Sequence, residues 1–152
     1  MKTLVLYATK YGAAGEIAQK IADCLGDATT FNLKEQSAPN LADFEHIVIG
    51  SGIYAGAIRK EAKAFINKNL AQLCEKTRGV FLVGFAEEAD AFEKNFPPQL
   101  LQNVKAKAYL QGIFDPKKAN AAERLIIKAT MKQSEYINKI DDQKIKDFAA
   151  KL

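Results

Sequence analysis

The sequence is poor in the residues from which histidine- and cysteine-based sites are built. It contains one histidine, His46, two cysteines, Cys24 and Cys74, and no tryptophan. Neither cysteine has a metal-ligand spacing, and a single histidine argues strongly against a histidine-based zinc site or a catalytic triad. Both cysteines fall in predicted helices, where we expect core or half-buried positions and reduced thiols, as in a cytoplasmic protein.

Long apolar runs are absent as well. The first run, after Lys2, ends by Ala8 and is too short for a signal peptide, and none approaches the ~20 residues of a membrane span. No linker, repeat or low-complexity tract divides the 152 residues, so we expect a single domain, residues 1–152. Hydrophobic residues at 48% and charged residues at 26% indicate a globular protein.

The charge balance is mildly basic. The formal net charge is +4 and the sequence pI is about 9.0. Lysines and arginines alternate with acids along predicted helices, which is typical of solvated helix faces rather than of nucleic-acid binding. Arg59 and Lys60 begin a helix, where a cation opposes the helix dipole, and this favours an anion or an acidic partner nearby. Membrane contact is expected to be peripheral at most.

Strand and helix patterns alternate along the chain. The strands are predicted at residues 4–6, 29–33, 46–50, 79–84 and 105–112. Helices are predicted at 15–25, over the apolar positions from Ala62 to Leu73, up to Asn95 before Pro97–Pro98, around 122–129, and after an Asp141 or Asp142 cap. This alternation predicts an α/β protein with a doubly wound, five-stranded parallel sheet in the order 2-1-3-4-5 and helices on both faces, which is the flavodoxin-like arrangement.

Three loops should meet at the carboxyl edge of such a sheet, where ligands bind: residues 9–14, 51–57 and 85–90. The first joins a buried strand to a helix, so its N–H groups and the helix dipole favour a phosphate. It has neither the P-loop nor the Gly-x-Gly-x-x-Gly pattern. The remaining possibility for a phosphate site is a ligand with a single terminal phosphate. The alternative is that Gly12 merely permits the strand-to-helix turn.

Thr9-x-x-Gly12 before a helix is similar to the FMN-phosphate loop of flavodoxins. The stretches Ile49–Gly56, Phe81–Gly84 and Glu123–Lys128 resemble the branch of the flavodoxin-domain family that includes menaquinone-dependent protoporphyrinogen oxidases. The resemblance covers essentially the whole chain. It implies a flavodoxin-like fold, non-covalently bound FMN, and a role in electron transport or as an oxidoreductase.

The resemblance also implies a set of cofactor-binding residues in the three loops. They are Thr9, Lys10, Tyr11, Gly12, Ala13 and Ala14; Ser51, Gly52, Ile53, Tyr54 and Gly56; and Gly84, Phe85, Ala86 and Glu87. Tyr54 is expected either to stack on the isoalloxazine ring or to pack on the following helix. Glu87 is expected either near the pyrimidine end of the ring or in solvent. No catalytic acid or base and no metal ligand is assigned.

The chain departs from the flavodoxin pattern at Tyr11 and Ala14, where the pattern has hydroxyl residues, and Ala13 also offers none. FMN binding is therefore expected to be weaker than in a flavodoxin, or lost. Three functions stay open. The first is an FMN redox protein that serves a quinone or a partner protein, which charge complementarity would make acidic. The second is a protoporphyrinogen oxidase-like enzyme coupled to quinone, and the third is a flavodoxin fold without FMN that acts as a binding module. The chain lacks most of the extra residues of those oxidases around the third loop, which weakens the second.

Overall fold

The architecture is an α/β sandwich built on one parallel sheet. The computed structural model describes residues 2–10, 12–35, 38–84, 89–114 and 137–152. Within these ranges the strands are β1 (Thr3–Ala8), β2 (Ala28–Asn32), β3 (His46–Tyr54), β4 (Ala57–Ile58), β5 (Thr77–Val83), β6 (Ala106–Leu110), β7 (Ile113–Phe114) and β8 (Ile137–Asn138). The helices are α1 (Ala13–Leu25), α2 (Lys60–Lys68), α3 (Leu70–Lys76), α4 (Ala91–Asn95), α5 (Pro98–Leu101) and α6 (Asp142–Ala150), with a 3₁₀ turn at Leu41–Asp43.

The main sheet confirms the predicted topology. Its order is β2-β1-β3-β5-β6, with every neighbouring pair in this path parallel. Among the parallel strands counted along the chain this is 2-1-3-4-5. The short β4 pairs antiparallel with the end of β3, and β7 pairs antiparallel with β8. The winding reverses between β1 and β3, so the carboxyl ends of these two strands flank the switch point.

Both faces of the sheet are covered, as expected for a parallel sheet. On β1, Val5 faces the α1 and α6 side, whereas Leu4 and Leu6 face the opposite side, and all three are fully buried. Helices α2 to α5 supply the second face through residues such as Ile66 and Leu100. Because consecutive side chains alternate across a strand, the wholly apolar strands predict this double burial.

Among the described residues the helices differ from the sequence expectations at two places, one of which is α5, a short helix at Pro98–Leu101 that the sequence analysis does not predict. The helix over Ala62–Leu73 is predicted as one element, but it is interrupted at Asn69, whose backbone and side chain both donate to the Phe65 carbonyl. Helix α1 ends at Gly26, which adopts φ +86°, and α6 begins after Asp141, whose carboxylate accepts from the N–H of Gln143 and Lys144. The helix predicted around 122–129 lies outside the described residues.

Strand β6 lies at an edge of the sheet, since among the described residues it pairs only with β5. Lys107 on it is exposed and Ala106 is buried. The burial prediction is wrong for Cys24, which is exposed on α1, whereas Cys74 is half-buried as expected. Cys24 occupies the solvent side of the helix because the sheet-facing stripe is formed by Ile17, Ile21 and their neighbours.

Candidate functional site

The first loop joins β1 to α1 at the switch point. Gly12 adopts φ +98° and its N–H donates to Thr9 Oγ1 at 2.9 Å. The first hydrogen bond of the helix runs from Glu16 N to the Gly12 carbonyl at 3.1 Å. The N–H groups of residues 13–15 precede that bond and point out of the positive end of the helix, which is the arrangement that binds phosphate. Tyr11 lies outside the described residues.

The three small residues after Gly12 have different surroundings. Ala14 is 1% exposed and its side chain packs in the core between α1 and the sheet, so it offers the site only its backbone N–H. Ala13 is half-buried. Gly15 faces Tyr7, since a Cβ at residue 15 would lie 3.0 Å from the Tyr7 ring. A hydroxyl added at Ala14 would therefore enter the core, whereas Ala13 is only half-buried.

The second loop is not a loop over most of its length. Strand β3 continues through Ser51 to Tyr54, and the chain returns as β4 after a two-residue turn at Ala55 and Gly56. These two residues have φ +52° and +81°, as in a type I′ hairpin turn. The predicted loop at 51–57 thus forms part of a β-hairpin. We call residues Ile53–Ile58 the site hairpin.

Ser51 and Asn95 hold this part of the chain. Ser51 is fully buried, and its hydroxyl accepts from Arg59 N at 3.0 Å and donates to the Gly52 carbonyl at 2.8 Å. The Asn95 carboxamide, from α4, bonds the site hairpin at the Gly56 carbonyl and at Ile58 N, both at 3.0 Å. Sequence reasoning placed Ser51 near a ligand and did not single out Asn95, because its partners are 37 and 39 residues away.

The first loop and the site hairpin meet across the switch point. Ser51 pairs in register with Ala8, and Lys10 Nζ lies 5.7 Å from the centroid of the Tyr54 ring. Tyr54 is half-buried. The positions of Gly12 and Gly52 are open: a Cβ at Gly12 would meet nothing within 4 Å, and one at Gly52 would come no closer than 4.0 Å to the Ala8 carbonyl oxygen.

Gly84 follows β5 directly and lies at the same edge, just before the predicted third loop. Gly84 is buried, its N–H donates to the Leu110 carbonyl at 3.0 Å, and a Cβ there would overlap the Tyr109 hydroxyl and Ile53. Gly84 thus lets the end of β5 pack under the site hairpin. Tyr109 is a neighbour that the sequence analysis missed, although the alternation of β6 puts it on the same face as Lys107. Phe85, Ala86 and Glu87 lie outside the described residues.

Two of the described cations belong to this edge, and the single histidine of the sequence lies elsewhere. Lys10 and Arg59 flank the switch point through the first loop and the start of α2. His46 begins β3 at the opposite, amino end of the sheet, where burial and, to a smaller extent, Arg78 lower its pKa. Within the described residues no group of three or more His, Cys, Asp or Glu is arranged to hold a metal ion.

Comparison with known families identifies the fold. The flavodoxin domain profile matches residues 4–141. The chain belongs to the flavodoxin domain family. The predicted family is therefore confirmed, whereas the narrower branch with the protoporphyrinogen oxidases stays a prediction. No curated protein matches the sequence.

Solved structures of the family share the fold at low sequence identity. The flavodoxin of Streptococcus pneumoniae TIGR4 is 15% identical, with a TM-score of 0.62 over 100% of this chain and 97% of its own. A short-chain flavodoxin associated with a PDU bacterial microcompartment is 20% identical, with a TM-score of 0.61 over 100% and 97%. A flavoprotein of Lactobacillus acidophilus NCFM in complex with FMN is 16% identical, with a TM-score of 0.58 over 71% and 92%.

Hydropathy adds one further fact about this family member. Among the described residues, no helix combines the length and apolar character needed to cross a membrane.

Proposed function

We propose that the protein binds FMN non-covalently at the switch point and transfers electrons as a flavodoxin-like redox protein. The observation that carries the proposal is the meeting of two segments: the open N-terminal end of α1, with Thr9 and Gly12, and the site hairpin with Tyr54, which Lys10 approaches at 5.7 Å. Membership of the flavodoxin domain family and the FMN complex of a structural neighbour support FMN as the ligand.

The first loop fits a phosphate with few side-chain donors. Thr9 Oγ1 accepts from Gly12 N and keeps its own proton for an anion, and the N–H groups of Ala13, Ala14 and Gly15 add backbone donors. The space over Gly12 is open to a ligand. Each hydroxyl absent relative to the flavodoxin pattern removes about 1–3 kcal/mol of binding to a charged group. We therefore expect weaker FMN binding than a loop with several hydroxyls gives.

The ring end is formed by the site hairpin and the end of β5. Tyr54 offers an aromatic face, and the open position of Gly52 lets the backbone approach a planar ligand. Bound FMN supplies the redox chemistry, and the chain orients it and sets its electrostatic surroundings. Within the same proposal, Ile53, Gly56, Gly84, Phe85, Ala86 and Glu87 complete the walls, and the whole chain forms one domain in the cytoplasm.

A carrier role is tested by electron transfer from the loaded protein. Protein reconstituted with FMN and reduced anaerobically with dithionite should be reoxidised by ferricyanide in proportion to bound flavin, as followed by flavin absorbance. Free FMN is removed by gel filtration beforehand, so that only flavin bound to the protein is measured. Protein that retains no flavin, or flavin that dithionite does not reduce, would contradict the proposal.

The partner is proposed from charge. A net charge of +4 and the cations Arg59 and Lys60 at the start of α2 favour an acidic protein. Association with such a partner should weaken as salt rises, because exposed charges are screened. An electron-transfer rate that does not depend on ionic strength would argue against an acidic partner and for a quinone.

The second candidate is a quinone-coupled oxidase. The residues Ile49–Gly56 carry the resemblance to the protoporphyrinogen oxidase branch, and the structure folds them into the end of β3 and the site hairpin. Oxidation of protoporphyrinogen by the FMN-loaded protein with a menaquinone analogue as acceptor would favour this candidate over a carrier. No turnover above that of free FMN would exclude it. A protein that does not bind FMN would instead favour the third candidate, a binding module.

A further inference from the structure

We infer that Asn95 is a positioning residue for the flavin ring. Its carboxamide ties the site hairpin to α4 and so fixes the wall that carries Tyr54. The inference rests on the proposed function, because it assigns a role in a flavin site to a residue that does not itself face the ligand. It predicts a change in flavin binding that does not depend on the phosphate.

The three hydrogen bonds of the Asn95 carboxamide are all made to the backbone. Oδ1 accepts from Ile58 N at 3.0 Å, and Nδ2 donates to the Gly56 carbonyl at 3.0 Å and to the Ala91 carbonyl at 2.8 Å. The first two bonds hold the hairpin just after its turn, and the third fixes the carboxamide on its own helix. Asparagine suits this place because it offers an acceptor and two donors in one plane.

The helix that carries Asn95 is firmly anchored and follows the third site segment directly. Ala91 is 1% exposed and Phe96 is 3% exposed, and the Phe96 ring stacks with that of Phe92 at a centroid distance of 6.2 Å. Helix α4 begins at Ala91, immediately after the predicted loop at 85–90. Asn95 therefore holds the site hairpin from a helix whose flanking residues are buried.

The site hairpin has few ladder contacts of its own, so it depends on surrounding bonds such as those of Asn95 and the bond from Arg59 N to Ser51 Oγ. Only two residue pairs join β4 to β3: Ile53 with Ile58, and Tyr54 with Ala57. The turn places Ala55, a residue with a Cβ, at φ +52°, a conformation that L-residues other than glycine rarely adopt. A strained turn on a short ladder keeps its shape when the surrounding structure holds it. The contacts of Asn95 with Gly56 and Ile58 supply that restraint.

The test compares FMN with riboflavin, which carries the same ring without the phosphate. Asn95→Asp keeps the acceptor for Ile58 N but replaces both N–H donors with an oxygen that faces two carbonyl groups. We expect about tenfold weaker binding of both ligands, the factor that about 1.4 kcal/mol produces. Asn95→Ala should weaken both at least as much. Fluorescence of the bound flavin should rise in both variants, because Tyr54 is no longer held against the ring.

Asn103→Asp is the matched control. Asn103 Nδ2 also donates to a backbone carbonyl, that of Cys74 at 3.1 Å, and neither residue belongs to the site hairpin or the first loop. This variant loses one exposed hydrogen bond and should bind both ligands as the wild-type protein does. Urea unfolding of both variants gives their free energies of unfolding, so that a loss of flavin binding at Asn95 is separated from a general loss of stability.

Each outcome has a defined meaning. Equal losses for FMN and riboflavin in the Asn95 variants, with Asn103→Asp unchanged, support the inference. Unchanged affinity, a loss confined to FMN, or an equal loss in Asn103→Asp overturns it. A wild-type protein that binds neither ligand overturns the proposed function itself, and the wild-type titration reveals this before any variant is compared.

Discussion

Lys10 Nζ lies 5.7 Å from the centroid of the Tyr54 ring, so a residue of the first loop reaches a residue 44 positions later on the site hairpin. The ammonium and the ring face attract each other, which is worth about 0.5–1 kcal/mol at an exposed site. This contact joins the end of the site that is suited to a phosphate to the end that is suited to an aromatic ring.

The aromatic face of Tyr54 is expected to contribute to flavin binding. Tyr54→Leu should weaken FMN and riboflavin equally, by about 0.5–1.5 kcal/mol, because stacking on the ring is lost. Tyr54→Phe keeps the face and serves as the control, so its affinity should stay near that of the wild-type protein. Fluorescence titration measures both. If Tyr54→Leu binds flavin normally, the tyrosine packs only on the protein.

The Thr9 hydroxyl is expected to serve the phosphate alone. Thr9→Ala removes the acceptor of Gly12 N at 2.9 Å and one donor, so FMN affinity should fall by about 1–3 kcal/mol. Riboflavin affinity should not change, since it has no phosphate. Thr29→Ala, at an exposed position on β2, is the control and should affect neither ligand. Equal weakening of FMN and riboflavin would place Thr9 away from the phosphate.

Two neighbouring alanines should respond differently to an added hydroxyl. Ala13→Ser adds a hydroxyl to a half-buried residue in the first turn of α1, so FMN binding should tighten several-fold. Ala14→Ser buries a hydroxyl in the core under α1, so it should lower the free energy of unfolding by about 1–3 kcal/mol without tightening FMN. Urea unfolding and FMN titration separate the two effects. Tighter FMN binding by Ala14→Ser would show that this side chain does reach the ligand.

Gly50 and Gly52 of β3 are expected to respond differently to substitution by alanine. A Cβ at Gly50 would overlap the fully buried Phe81 ring, so Gly50→Ala should destabilise the protein by about 1–3 kcal/mol or more. A Cβ at Gly52 has room, so Gly52→Ala should leave stability nearly unchanged and reduce flavin binding by obstructing the approach of the ring. Urea unfolding of both variants checks the first expectation. Flavin binding of Gly52→Ala at the wild-type level would place the ring elsewhere.

The sequence predicts the parallel sheet well because its strands are buried on both faces. Runs such as Leu4–Leu6 and Ile47–Ile49 have apolar residues at every position, and helical spacing follows each run. Strand order then follows from right-handed crossovers and the length of the chain. Helix ends at Gly26 and Asp141 are predicted by local capping rules, which depend only on neighbouring residues.

The site hairpin could not be predicted from its glycines. Gly52 and Gly56 suggest a loop after the predicted strand 46–50, but β3 continues through Gly52 to Tyr54. The turn at Ala55–Gly56 lacks the Asn-Gly pair that marks most type I′ turns. The bonds of Asn95 depend on tertiary packing, which no local pattern contains.

The central claim is most directly tested by titrating FMN with the purified protein and following flavin fluorescence, with riboflavin titrated in parallel. The account predicts saturable quenching of both at micromolar protein, with FMN bound more tightly because the N-terminal end of α1 and Thr9 receive its phosphate. Equal affinity for the two ligands would contradict the role given to the first loop. No saturable quenching of either ligand would contradict the flavin site itself.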